Sequence, residues 1–154
     1  MAGDPANNRI RQTFGFLASW LVTHDADGKP LLSQAKLSLL TKSAVAACDA
    51  VDGLKDGLID DPRRCTFDPA SIACTGSADD ASCLTAPQVA AAQKMYAGTK
   101  HPKTGELIYT GWPVGSESFG EVASQGWRQY IVDPATPMRA DCSALQPCGH
   151  GRSR

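Results

Sequence analysis

Cys48-Asp49-Ala50-Val51-Asp52-Gly53-Leu54-Lys55-Asp56-Gly57-Leu58-Ile59-Asp60-Asp61-Pro62 is the stretch on which the reading of this chain turns. Asp49, Asp52, Asp56 and Asp60 fall within twelve residues, and two of them are followed directly by glycine. Like charges this close repel one another unless a cation neutralises them. Calcium takes six to eight hard oxygens at about 2.3–2.6 Å, mixing carboxylates, backbone carbonyls and water. Asp49, Asp52 and Asp56 can supply carboxylates, and Leu54 and Leu58 can supply carbonyls while their side chains point into a core. Gly53 and Gly57 permit the sharp turns that aim those carbonyls inward.

The comb is not an EF-hand. Counted from Asp52 as position 1, Gly57 takes the glycine position, but Leu54 stands at position 3 and Arg63 at position 12, where acids are required. A solvated acidic turn with ordinary Asp-Gly chemistry is the competing reading. Magnesium would use fewer protein ligands and keep its waters, and zinc would need thiols or imidazoles at a spacing that is absent.

The six cysteines, at positions 48, 65, 74, 83, 142 and 148, form an even set without CxxC pairs. Proximity favours Cys48 with Cys65 and Cys74 with Cys83. A Cys48–Cys65 bridge closes a loop of the size for which chain entropy predicts about 3 kcal/mol. Disulfides imply an oxidising compartment. The start Met1-Ala2-Gly3-Asp4-Pro5 has no signal-peptide pattern, so the expectation is an internal piece of a longer exported protein.

The 154 residues suffice for one domain with a modest core, and 42% hydrophobic content argues against disorder. Fifteen basic and sixteen acidic residues nearly cancel, so neither a nucleic-acid partner nor an anionic membrane is expected.

Residues 9–23 have helical periodicity, with Ile10, Phe14, Leu17 and Leu21 in one stripe that Trp20 widens. A second helix is expected from an N-cap at Ser38 to Cys48, with Leu39, Leu40, Ala44 and Ala47 available for packing. A third is expected after Thr85, where Gln88 completes a capping box, Pro87 sits in the first turn and Leu84 and Val89 form a hydrophobic staple. Its packing face is Val89, Ala92 and Tyr96, and Gly98 ends it. A short strand, Leu107-Ile108-Tyr109, follows the turn Lys103-Thr104-Gly105-Glu106.

No catalytic residue is identified. The serine elbow G-x-S-x-G is absent; Ser116-Glu117-Ser118-Phe119-Gly120 lacks the first glycine that the strained turn needs. His24, His101 and His150 read as surface-loop histidines. Asp60 and Asp61 read as a loop exit before Pro62 rather than as paired catalytic carboxylates. Trp20, Trp112 and Trp127 read as core or pocket lining. No glycine loop could cradle phosphate, because Gly53 and Gly57 sit among acids.

Cys48 through Cys65, followed by Phe67-Asp68-Pro69, Cys74, Cys83-Leu84-Thr85 and Gln88, resembles the lid domain of the tannase and feruloyl esterase family. That family also includes mono(hydroxyethyl) terephthalate hydrolase. Lys103-Thr104-Gly105-Glu106, Ile108-Tyr109 and Gly111-Trp112-Pro113-Val114-Gly115-Ser116-Glu117 continue the likeness, and Pro5-Ala6-Asn7-Asn8 resembles the segment leading into the lid.

The resemblance implies an α+β fold: an irregular lid domain of an α/β-hydrolase, stapled by disulfides and calcium, with helices and short strands. Residues 1–8 would be a remnant of the hydrolase core, 9–135 the lid, and 136–154 an unassigned tail that departs from the family pattern as a truncation or frameshift would make it. The matching calcium ligands are Asp49, Asp52, Leu54, Asp56 and Leu58, and the matching disulfides are Cys48–Cys65 and Cys74–Cys83. The family's serine lies upstream of the lid, and its aspartate and histidine lie downstream. The expectation is therefore a fragment of a secreted or periplasmic carboxylic ester hydrolase, inactive alone, whose partners are the missing hydrolase core and an aromatic-acid ester. The alternative expectation is a standalone calcium-stabilised binding module without catalysis.

Overall fold

A computed structural model describes residues 9–76, 79–118, 126–128 and 132. The expectations for residues 1–8 and 136–154, and any pairing of Cys142 with Cys148, lie outside the described residues.

Among the described residues, three α-helices and one small sheet make a mixed α+β unit. Helix α1 spans Arg9–Thr23, α2 spans Gln34–Cys48 and α3 spans Ala86–Ala97. Strands β1, Thr99–Lys100, and β2, Leu107–Tyr109, pair antiparallel with a register irregularity between Thr99 and Lys100. Three short 3-10 turns, Asp49–Asp52, Pro62–Arg64 and Pro69–Ile72, carry the chain between α2 and α3.

Helix α3 starts and stops where its sequence signals stand. Thr85 and Gln88 form the capping box, with the Thr85 N–H donating to Gln88 Oε1 at 2.9 Å, and Gly98 caps the other end. Val89 and Ala92 are buried and Tyr96 is half-buried, joined by Ala91 and Met95. Leu84 is fully buried beneath them.

Helix α2 begins earlier than expected. Ser33, not Ser38, is its N-cap, with Ser33 Oγ accepting from the Lys36 N–H. Gln34, Ala35 and Lys36 are good helix formers, so the helix propagates back to the first serine in extended backbone. Its buried face is Lys36, Leu37, Leu40, Ala44 and Cys48. Ala47 lies off that face and is exposed, contrary to the expected packing set.

Helix α1 turns its apolar stripe the other way. Ile10, Phe14, Leu17 and Leu21 do share one face, but that face is solvent-exposed. The opposite side packs against α3 and β2. There the Tyr109 ring fills the space a Cβ on Gly15 would need, Phe16 meets Trp112 at 6.1 Å, and Trp112 Nε1 donates to Ser19 Oγ at 3.0 Å.

The core joins Leu32, Leu37, Leu40, Leu84, Val89, Ala92, Met95, Trp127 and Val132. A core this small needs pins. Disulfides join Cys48 to Cys65 and Cys74 to Cys83. Lys36 adds a third device that its sequence position does not advertise. Its side chain is 6% exposed, its ammonium pairs with Asp79 Oδ1 at 2.7 Å, and it donates to the carbonyls of Asp80 and Cys83. The second disulfide loop is thereby tied to α2.

Glu117 is another buried ionisable side chain among the described residues. It is fully buried and accepts from Thr41 Oγ1 at 2.9 Å, from the Gly115 N–H at 2.9 Å and from the Tyr96 hydroxyl at 2.5 Å. Burial first, and then the neighbouring carboxylate, push the Tyr96 hydroxyl far above its ordinary range, so it stays a donor. The Glu117 backbone carbonyl accepts from the Trp127 N–H at 3.1 Å. One side chain thus links α2, α3 and the 111–118 segment.

Two stability outcomes follow from these buried groups. Lys36→Met keeps most of the stem but strands the carbonyls, so the expected loss is about 1–3 kcal/mol. It would be read as a lower urea midpoint at unchanged m-value; an unchanged midpoint would show that the clamp contributes no net stability. Glu117→Ala is expected to cost about 1–3 kcal/mol for each donor it strands. Glu117→Gln should cost less, because its amide oxygen can still accept from Tyr96 and Gly115 while the Thr41 hydroxyl rotates to accept from the amide. Equal losses for the two variants, measured in the same denaturation series, would rule out the hydrogen-bonded account.

Candidate metal centre and the cleft beside it

Helix α2 delivers Cys48 straight into the acid comb. Asp49–Asp52 forms a 3-10 turn that Gly53 ends at φ 97°, and Gly57 makes a second turn at φ 83°. Both values lie where a side chain would be strained, so the two glycines are what let the loop double back. The Cys48–Cys65 bridge closes its base, and Arg64 Nη2 donates to the Val51 carbonyl at 3.1 Å across the loop.

Each expected carboxylate ligand is engaged by the loop's own backbone. Asp49 Oδ1 accepts from the N–H groups of Asp56 at 3.1 Å and Gly57 at 2.9 Å. Asp52 Oδ1 accepts from the Leu54 N–H at 2.9 Å, and Asp56 Oδ1 from the Leu58 N–H at 3.1 Å. These bonds draw Asp49 and the Asp56 backbone together. They do not gather the carboxylates around one point: among the described residues no three His, Cys, Asp or Glu side chains form a metal-ligating group.

The donor chemistry nonetheless fits a hard cation. Three carboxylates and the carbonyls of Leu54 and Leu58 are oxygen donors within one exposed loop. Cys48 and Cys65, the nearest thiols, are consumed in a disulfide, so the loop offers nothing to a soft metal. Backbone N–H bonds to a carboxylate are worth about 1.5–3 kcal/mol each, and each of these engages one Oδ1 in an exposed loop, leaving the carboxylates' other oxygens for a cation.

Leu54 and Leu58 depart from expectation. Their side chains are 62% and 66% exposed rather than directed into a core. Among the described residues nothing buries these two side chains at the loop tip. They instead line an open cleft of about 680 Å³ with Ile59, Pro113, Val114 and Ser116. A second open cleft, of about 650 Å³, shares Asp60, Pro62, Pro113 and Val114 and adds Arg63, Tyr96 and Trp112. The 111–118 segment is the wall common to both, and Glu117 holds it from behind.

Asp61 caps the Pro62–Arg64 turn and takes a two-point bond from Arg63, at 2.7 and 2.9 Å. That hydrogen bonding lowers its pKa from the ordinary 3.8. Asp61 is thus occupied in shaping the loop exit.

The other sequence candidates have structural posts. Ser118 is buried, with its N–H donating to Thr41 Oγ1 and its Oγ accepting from Gln34. His101 Nδ1 caps a turn by accepting from the N–H groups of Lys103 and Thr104. His24 is not a surface residue. It is 6% exposed, stacks on Trp20 at 4.3 Å and holds Nδ1 2.8 Å from the Trp20 carbonyl. The i, i+4 spacing from Trp20 was the available signal, because it brings the two rings onto one side of the helix end. Trp127 is fully buried with Nε1 donating to Ser116 Oγ at 3.0 Å, whereas Trp112 reaches the cleft. Neither described histidine lines either cleft.

This architecture has relatives. Residues 1–147 match the family model described as tannase and feruloyl esterase. An uncharacterized esterase of Xanthomonas campestris is 43% identical over 138 residues, 88% of this chain and 22% of that protein. Mono(2-hydroxyethyl) terephthalate hydrolase of Piscinibacter sakaiensis is 37% identical over 74% of this chain and 22% of its own. A probable feruloyl esterase B of Emericella nidulans is 31% identical over 86% of this chain and 27% of its own. The crystal structure of feruloyl esterase B from Aspergillus oryzae superposes with a TM-score of 0.69, over 82% of this chain and 24% of that one, at 24% identity, a likeness of fold. The chain thus spans about a quarter of the length of the relatives it matches. A match over residues 1–147 of 154 leaves one conclusion: the chain belongs to the tannase and feruloyl esterase family.

Proposed function

We propose that this chain is the lid segment of a carboxylic ester hydrolase of the tannase and feruloyl esterase type, and that its acid comb holds a structural calcium ion. The observation that carries the reading is the family match along nearly the whole chain, combined with coverage of only about a quarter of each relative. Relatives named for feruloyl and terephthalate esters support an aromatic-acid ester as the substrate class of the full-length protein. Two disulfides fit an exported protein, secreted or periplasmic.

In this reading the serine, histidine and aspartate of the reaction belong to the hydrolase body. The serine attacks the ester carbonyl, the histidine carries its proton to the leaving alcohol, and backbone N–H groups hold the oxyanion. The lid's own contribution is shape and exclusion of water. Leu54, Leu58, Ile59, Pro113 and Val114 offer an apolar wall, and Trp112 an aromatic one, for the acid's ring.

The calcium ligands would be the carboxylates of Asp49, Asp52 and Asp56 and the carbonyls of Leu54 and Leu58. Bound there, the ion neutralises the crowded acids and fixes a loop that has little core of its own. That loop forms one side of the cleft.

Two experiments test the proposal. Calcium at about a hundred times its Kd should stabilise the chain by about 2.7 kcal/mol, a rise in Tm of roughly 5–10 °C that EDTA reverses. Asp52→Ala should abolish the rise; no shift in the native chain would sink the calcium assignment. The purified 154-residue chain should not turn over feruloyl or galloyl esters. Measurable turnover by it would place the chemistry in this chain and overturn the lid reading.

A further inference from the structure

Helix α1 carries apolar residues on two opposite sides, and the described residues pack against only one. The inward side holds Gly15, Phe16 and Ser19 against β2 and Trp112. On the outward side Ile10 is 70% exposed, Phe14 56%, Leu17 46% and Leu21 60%. These four stand at i, i+4, i+7 and i+11, so they form one continuous stripe along the helix. Arg11, the charged residue within this span, lies off the stripe and reaches back to Glu106 at 3.4 Å.

A helix with apolar residues on two opposite sides has a face to bury on each. Four half-exposed large side chains in a row amount to a contiguous patch on the order of a few hundred Å², the size of the largest patch on a typical monomer, which is often functional, rather than singly scattered apolar residues. A second copy of this chain is a poor occupant. The stripe falls short of the roughly 800 Å² per partner that a stable interface between separate molecules buries. A seam within one polypeptide needs less, because it carries none of the association cost. The Xanthomonas relative devotes only 22% of its length to the part this chain matches, so such a seam has most of a protein to meet.

We propose that the Ile10–Phe14–Leu17–Leu21 stripe is the seam along which the hydrolase body of the full-length enzyme packs. The identity of the occupant rests on the lid reading above. The stripe is therefore an internal face of the full-length protein, solvent-exposed only when this segment stands apart from it.

The test compares one pair of substitutions in two settings. Leu17→Glu with Leu21→Glu is introduced into the 154-residue chain and into a chimera in which this chain replaces the aligned segment of the Xanthomonas esterase. In the chain alone the pair should move Tm by less than about 2 °C, as surface changes do. In the chimera it should lower Tm by more than about 5 °C or abolish soluble yield. A chimera that tolerates both glutamates overturns the proposal. So does equal destabilisation of the chain alone, which would make the stripe part of its own core. Concentration-dependent dimerisation of the chain, lost with the glutamates, would give the stripe to a second copy instead. An unsubstituted chimera that is insoluble where the Xanthomonas esterase is soluble also counts against it, because the faces would then not match. Esterase activity is read separately: a stripe-dependent Tm in an inactive chimera would refute the lid reading while leaving the seam in place.

Discussion

Glu117 is the constraint on which the arrangement of the clefts depends. A fully buried carboxylate is costly unless its oxygens are satisfied, and three donors from three different parts of the chain satisfy it. Thr41 sits on α2, Tyr96 on α3, and the Gly115 N–H on the segment that separates the two clefts. Meeting the needs of one side chain therefore fixes the position of Pro113, Val114 and Ser116 relative to both helices. Trp127 closes the arrangement, with its backbone on the Glu117 carbonyl and its ring nitrogen on Ser116.

The remainder of the molecule is held by short-range pins. Its described core is one modest cluster, and long stretches between α2 and α3 have no regular structure beyond single 3-10 turns. Cys48–Cys65 and Cys74–Cys83 close the two irregular loops, and Lys36 fastens the second of them to α2. A small domain with loops of this size relies on such cross-links because burial alone supplies little surplus. The acid comb extends the same logic: it is a loop tip whose exposed carboxylates each accept from local backbone amides.

Where sequence and structure part, the cause is tertiary in each case. The periodicity of α1 is a true helical signal, but periodicity reports that a face is apolar and not what covers it. The apolar character of Leu54 and Leu58 in a stapled loop predicts side chains turned inward; among the described residues nothing covers the loop tip, and they face the cleft. The place of His24 before an acidic turn predicts a surface position, yet it stacks on Trp20, bonds the Trp20 carbonyl and is buried. Lys36 and Glu117 gave no local signal, since a buried charge is defined by partners 43 or more residues away in the case of Lys36 and up to 76 in the case of Glu117.

By itself the sequence determined the family, the two cysteine pairings, the capping box of α3 and the crowding of acids between Cys48 and Cys65. Each of these is encoded in residue order over short distances: the capping box is four residues long, the disulfides join cysteines 9 and 17 positions apart, and a motif is read in line. Only the tertiary structure decided which apolar faces are covered, which charges are buried, and that the 111–118 segment stands between two clefts. Those outcomes depend on what packs against what across the whole chain, because burial is a property of neighbours in space.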